Sequence, residues 1–171
     1  ARREGLPCTV VMPDTAPDAK TSAVERLGAS IVKVTFDAWL AVFRSRAFPG
    51  MRGLFVHPFS DRHVMAGNAT IGAEILEDLP EADAVIVPYG GGGLSCGIAS
   101  AIRAGAPRTK VFAAEIATAA PLSASLAAGE PVVVPYTPSF VDGIGSPAVF
   151  PEMFELARTL LDGSLGVEPD Q

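Results

Sequence analysis

Val85-Ile86-Val87-Pro88-Tyr89-Gly90-Gly91-Gly92-Gly93-Leu94-Ser95-Cys96-Gly97-Ile98 is the stretch that decides how this chain folds. Its apolar start predicts a buried strand, Ala84–Pro88. Four glycines follow, and then a helix, Leu94–Ala104, that Gly105 closes. Glycine admits positive φ and lets another group approach the backbone closely. The first N–H groups of a helix lack intrahelical partners, and the dipole adds roughly half a positive charge there. A strand–glycine–helix junction is therefore suited to an anion. The competing reading is a flexible turn with no ligand. Four consecutive glycines cost backbone entropy, of order 0.5–1 kcal/mol each relative to Ala in a regular element, which favours the anion site.

Two familiar phosphate loops do not fit. A nucleotide-binding P-loop needs Gly-Lys-Ser/Thr at the helix start, whereas Gly93 is followed by Leu94 and Ser95. A dinucleotide fingerprint needs glycines at i, i+2 and i+5. From Gly90 the third position is Ser95, and from Gly91 it is Cys96. Glu115, at the end of the next strand, mimics the acid that holds a ribose, so a dinucleotide stays open as a rival.

Outward from the loop, short Val- and Ile-rich runs alternate with stretches of helical length. The other predicted strands are Cys8–Met12, Ile31–Thr35, Gly53–His57 and Val111–Ala114. Most are apolar on successive residues, as in parallel strands covered on both faces. Thr15 is expected to cap a helix that runs through Pro17 to Leu27, with Gly28 closing it. Asp37 is expected to cap Ala38–Ser45. A longer helix spans Val64–Leu79 with Ile71, Ile75, Leu76 and Leu79 on one stripe. Pro121–Ala128 ends at Gly129, and Glu152–Leu161 ends at Gly163. This order predicts an α/β domain with right-handed crossovers.

Composition agrees. The 171 residues are 49% hydrophobic and 19% charged, enough for a packed core and too little charge for a disordered chain. The net charge is −6, and no Lys/Arg cluster alternates with aromatics, which argues against nucleic-acid binding. No apolar run approaches 18 residues, so no membrane span is expected. Cys8 and Cys96 form no CxxC motif. They read as free thiols of a reducing, cytoplasmic compartment, a single disulfide being the alternative. The chain opens without Met on what resembles a last helical turn, Ala1–Glu4 closed by Gly5, so it reads as a piece cut at both ends.

Segment Val87–Ile98 resembles the cofactor-phosphate loop of fold-type II pyridoxal-phosphate enzymes, in the branch of threonine and serine dehydratases and serine racemases. There GGGGL or GGGGM follows a Val-Pro strand end. Further segments agree in order. Met12–Lys20 resembles "MPxxAPxxK", Leu27–Val32 "xGAxVV", and His57–Asp61 "HPFDD". Ala66–Ile75 resembles "AGQGTIGLEI", and Asp142-Gly143-Ile144 the "ADGI" loop near the cofactor. The sulfhydrylase branch carries G-T-G-G-T instead. The resemblance implies the three-layer, parallel-sheet α/β fold of the tryptophan synthase beta-like type, truncated at both ends. Residues 1–57 would belong to the small domain and 58–171 to the large, cofactor-binding domain.

It also implies the chemistry: pyridoxal 5'-phosphate as cofactor, an amino-acid substrate, and β-elimination of water from L-threonine or L-serine to a 2-oxo acid and ammonia. Gly90, Gly91, Gly92, Gly93 and Leu94 would hold the cofactor phosphate. The intact enzyme is expected to be a homo-oligomer. Racemisation shares every motif present, and a nucleotide- or phosphate-binding module without catalysis is the reading from another class.

The departures are specific. Lys20, Lys33 and Lys110 do not lie in the family's S-x-K-x-R context. The S-x-G-N-H loop and the Ser or Cys for the pyridine nitrogen are also missing, so no catalytic residue is assigned. The branch's metal site takes a Glu, a carbonyl four residues on, and an Asp two beyond. Glu115 and Ala119 match, but the third position is Pro121. A lone carboxylate is a poor ligand for a divalent cation, so no metal ligand is assigned and Glu115 reads as a helix-start or packing acid. His57 reads as structural, His63 as a helix-surface residue, and Asn68 and Thr70 as packing or capping residues. Asp142 either orients the cofactor loop or caps a turn with Gly143. Ser146 either reaches substrate or serves its Gly-Ser-Pro turn.

Overall fold

The computed structural model describes residues 1–141 and 143–169. The chain divides into two compact units, Ala1–Phe55 and Val56–Gln171.

In the first unit a short 3-10 turn, Arg2–Glu4, ends on Gly5 at φ 63°. Strand β1 (Thr9–Pro13), helix α1 (Asp18–Arg26), strand β2 (Ser30–Val34) and helix α2 (Phe36–Ser45) follow. β1 and β2 pair in parallel, Val10 opposite Ile31. Gly28 takes φ 81° and donates to the Glu25 carbonyl at 2.8 Å, which ends α1 as glycine permits. Both expected caps of this unit are corrected. Pro17 occupies the cap position of α1, and no side chain caps it. A proline pushes the residue before it out of helical geometry, which leaves Thr15 outside the first turn. Thr35, not Asp37, caps α2 by accepting from the Ala38 N–H at 3.4 Å. The helix therefore starts earlier, and Trp39 packs edge-on to Phe43 with centroids 4.4 Å apart.

The second unit contains helix α3 (Arg62–Asp78), strand β3 (Ala84–Pro88), helix α4 (Gly93–Gly105) and strand β4 (Lys110–Ile116). Helices α5 (Pro121–Ala128) and α6 (Pro151–Leu160) and strand β5 (Gly163–Val167) complete it. The sheet is parallel with order β3-β4-β5, so the α/β class with parallel pairing is the observed fold. Val87, Val111, Ala113, Ile102, Leu122, Met153 and Phe154 form its buried core. The other face of the sheet carries Ile86 and Leu165, which remain 59% and 41% exposed.

Three sequence expectations change here. Residues 53–57 form no strand: Leu54 is 90% exposed, and no ladder partner lies beside the segment among the described residues. β5 was not expected at all. Gly163 reads in sequence as a helix stop, but it stands at φ 155° opposite Phe112 and opens a strand. Leu161 already ends α6 in an extended conformation. The α3 stripe also shifts, since Ile71 and Leu79 are exposed. α3 instead presents small residues to α4. A Cβ at Gly72 would lie 2.6 Å from the Ile98 carbonyl oxygen, and one at Gly97 would lie 2.6 Å from that of Met65. Paired glycines let the two backbones approach more closely than an apolar stripe would.

Asp162, between α6 and β5, accepts from the Val111 N–H at 2.8 Å and from Lys110 at 3.0 Å, and it pairs with Arg103. Burial alone would raise its pKa, but those three donors outweigh burial and hold the carboxyl below the usual carboxylate range. A depressed folded pKa contributes stability above the unfolded value and loses it as pH falls through the folded value. The wild type is therefore expected to exceed Asp162→Asn by about 1–2 kcal/mol at pH 6. The gap should close as pH falls below about 4. Denaturant titrations at both pH values check this, and a pH-independent gap contradicts it.

Candidate functional site

β3 delivers the chain to the loop in a fixed direction, because the Tyr89 N–H continues the ladder by donating to the Ala114 carbonyl at 2.8 Å. Gly92 stands at φ 88°, ψ −12° as the N-cap of α4. The Cys96 N–H then makes the first intrahelical bond, to the Gly92 carbonyl at 2.8 Å. The fully buried Ser95 hydroxyl donates back to the Pro88 carbonyl at 2.9 Å and ties strand to helix across the glycines.

The glycines are required by their neighbours. A Cβ at Gly91 would lie 2.3 Å from the Phe59 ring, and one at Gly93 would lie 2.6 Å from the Phe59 backbone. At Gly92 a Cβ would lie within 2.8–3.0 Å of the Tyr89 phenol. Gly90 is more tolerant, with the Gly143 carbonyl oxygen 3.2 Å from its would-be Cβ. Phe59 is in turn held from behind. Nδ1 of the buried His57 accepts from the Ser60 N–H at 3.1 Å. The His57 and Phe59 rings stack edge-on at 4.4 Å, and Phe150 closes the cluster 5.2 Å from Phe59. The structural reading of His57 agrees with this placement.

In front of the loop is a cavity of about 260 Å³. Gly90, Gly91, Gly92, Gly93 and Leu94 all line it, so the five residues singled out in the sequence share one wall. Pro58, Phe59 and Pro88 add apolar surface, Gly143 and Ile144 form another side, and Asn68 supplies a side-chain amide. No carboxylate is among the described lining residues. Backbone N–H groups at a helix start, free of competing negative charge and crowded by Phe59 and Tyr89, fit a phosphate group.

Tyr89 and Cys96 lie beneath the loop, each 2% exposed. The Tyr89 hydroxyl has no hydrogen-bond partner among the described residues. Burial, with Cys96 and Glu115 nearby, pushes the phenol far above its ordinary range, so it stays neutral. Burial pushes the Cys96 thiol up to about 12, which makes it unreactive as a nucleophile. Cys8 is also a free thiol.

Glu115 is 1% exposed and fully engaged. Its carboxylate accepts from the Leu122 and Ser123 N–H groups, each at 2.8 Å, and from the Ser164 hydroxyl at 2.7 Å. It thus caps α5, as the helix-start reading expects, and ties α5 to β5. His63 is a surface residue beside its cap Asp61. Thr70 donates within its own helix to the Gly67 carbonyl, and Ser146 bonds to Ala148 in its turn. Asn68 packs against Gly97, in line with the packing expectation, and it also lines the cavity. Asp142 lies outside the described residues. Lys110 stands opposite Ala84, at the end of the sheet away from the loop. Ala114, opposite Pro88, is four positions further on, about 13 Å along the strand.

Phe59, Tyr89 and Asn68 are the residues that sequence reasoning missed. Only Asn68, a lone amide in a run of small and apolar residues, left a signal there.

The family model described as pyridoxal-phosphate dependent enzyme matches residues 1–171. An L-threonine ammonia-lyase of Geobacter sulfurreducens is 40% identical over 170 residues, covering 98% of this chain and 42% of that protein. A serine racemase of Bos taurus is 37% identical over 173 residues, covering 100% and 52%. Among solved structures, maize serine racemase superposes with a TM-score of 0.87 at 29% identity, covering 99% of this chain and 51% of that one. The chain thus spans about half the length of the curated relatives it matches.

Proposed function

This chain belongs to the pyridoxal-phosphate dependent enzyme family, and from that premise we propose that it is the phosphate-holding part of an ammonia-lyase that deaminates L-threonine or L-serine. The observation that carries the reading is the wall Gly90–Leu94. Gly91, Gly92 and Gly93 cannot take a Cβ without striking Phe59 or Tyr89, and the N–H groups of the wall open α4 beside a cavity with no carboxylate among its described lining residues. In this reading residues 1–57 belong to the small domain and 58–171 to the large one.

When bound, pyridoxal phosphate supplies a conjugated ring that takes up the electrons left at the amino acid's α-carbon. The residues of this chain position rather than react. The N–H groups of Gly91, Gly92, Gly93 and Leu94 hold the phosphate, each charge-assisted bond contributing about 1.5–3 kcal/mol. The α4 dipole adds to the same charge. Pro58, Phe59 and Leu94 keep water from competing with those bonds. No proton transfer is assigned to Lys110, which is committed to Asp162 at the other end of the sheet. Racemisation is the second reading, favoured by the 37% identity to the Bos taurus enzyme.

The test uses the full-length protein. Pyridoxal phosphate at about 100 times its dissociation constant should add roughly 2.7 kcal/mol of stability, while NAD and ATP should leave the melting temperature unchanged. L-threonine or L-serine should yield a 2-oxo acid and ammonia. Accumulation of D-serine without ammonia selects the racemase. Stabilisation by NAD instead of pyridoxal phosphate overturns the family chemistry for this loop.

A further inference from the structure

Resting on the reading that the glycine loop holds a phosphate, we infer that Asn68 is an additional, side-chain ligand of that phosphate. α3 and α4 run in the same direction where they touch. Asn68 lies against Gly97, Gly72 against Ile98 and Ala101, and Leu76 against Gly105. A Cβ at Gly97 would lie 2.8 Å from the Asn68 Cβ, so Asn68 stands beside the start of the second turn of α4. Helical side chains lean toward the N-terminus of their own helix. With the helices in this register, the Asn68 side chain leans toward the end of α4 at which Gly93 and Leu94 stand, and it lines the same cavity as they do.

The close contact has its own cause. Gly97 has no side chain, and only that absence lets Asn68 come this near. A primary amide has two N–H donors, and a phosphate offers several acceptor oxygens. The backbone donors of the loop all come from one side, at the helix end. Asn68 comes from a different helix and so approaches a phosphate in the cavity from a second direction. The cavity wall carries no cationic side chain among the described residues, which leaves the amide as the side-chain donor on it.

The experiment measures dissociation constants of pyridoxal phosphate and of pyridoxal, which lacks the phosphate, in the full-length protein and its Asn68→Ala, Asn68→Asp and Asn68→Gln variants. The 31P resonance of the bound cofactor is recorded in parallel. Asn68→Ala should weaken pyridoxal phosphate about tenfold, and Asn68→Asp, which places a negative charge there, about a hundredfold. Pyridoxal affinity should stay the same in all, and the 31P resonance should shift in Asn68→Ala. Asn68→Gln, which keeps the donors, should restore part of the affinity. Equal losses for both ligands, or unchanged affinity with an unchanged 31P resonance, overturn the role of Asn68. A wild-type protein that binds pyridoxal as tightly as pyridoxal phosphate overturns the phosphate reading itself, and thereby separates the two failures.

Discussion

Gly91→Asp in the full-length protein is expected to raise the dissociation constant for pyridoxal phosphate by about a hundredfold or more. Two effects add. The new Cβ would lie 2.3 Å from the Phe59 ring, so either Phe59 or the loop must move. Phe59 is wedged between His57 and Phe150, so the loop is the part that yields. The carboxylate then stands where the phosphate should be, and like charges at that range repel strongly in a partly buried site. A graded series separates the terms. Gly91→Ala carries the steric part alone. Gly90→Ala should cost far less, because its Cβ would meet the Gly143 carbonyl oxygen at 3.2 Å and the Ile144 Cα at an ordinary contact distance of 3.7 Å. Equilibrium dialysis of the three variants gives the order. Equal affinities for Gly90→Ala and Gly91→Asp would show that the cofactor lies elsewhere.

The second large effect falls on stability. Glu115→Ala should destabilise the fold by about 3–5 kcal/mol, because the buried Leu122 N–H and the half-buried Ser123 N–H both lose a charged acceptor. That corresponds to a melting-temperature drop of roughly 6–20 °C for a protein of this size. Glu115→Gln keeps one carbonyl acceptor and should fall between the two. Mg²⁺ or Ca²⁺ should leave the melting temperature of the wild type unchanged, since the oxygens a cation would need already serve α5 and Ser164. A cation-dependent rise that disappears in Glu115→Gln would restore a metal role. Glu115 is therefore also a poor probe of ribose binding, because its removal loosens α5 whatever the ligand.

Much of this fold is legible locally. β3 is predicted with its observed bounds, and so is α5 with its closing glycine, because a proline at the first turn and a glycine at φ 80° mark both ends chemically. The glycine loop is legible for the same reason, since strand, glycines and helix are contiguous. The caps of α1 and α2 are each read two residues away from their observed positions because several polar residues compete near each helix start. β5 is invisible in Gly163–Val167, which is short and glycine-containing. It becomes a strand only because β4 offers it a ladder.

By itself the sequence determined the parallel α/β class, the family, and the five loop residues that share one cavity wall. Each of these rests on contiguous residues or on the order of motifs. Tertiary structure alone decided that Phe59 and Tyr89 make Gly91, Gly92 and Gly93 obligatory, that Asn68 faces the cavity, and that Glu115 is spent on α5. Those facts join residues up to 34 positions apart, such as Phe59 with Gly93 and Glu115 with Leu122. Nothing in local propensity encodes such contacts. They arise when close-packed helices, brought together by Gly72 and Gly97, fix which side chains meet.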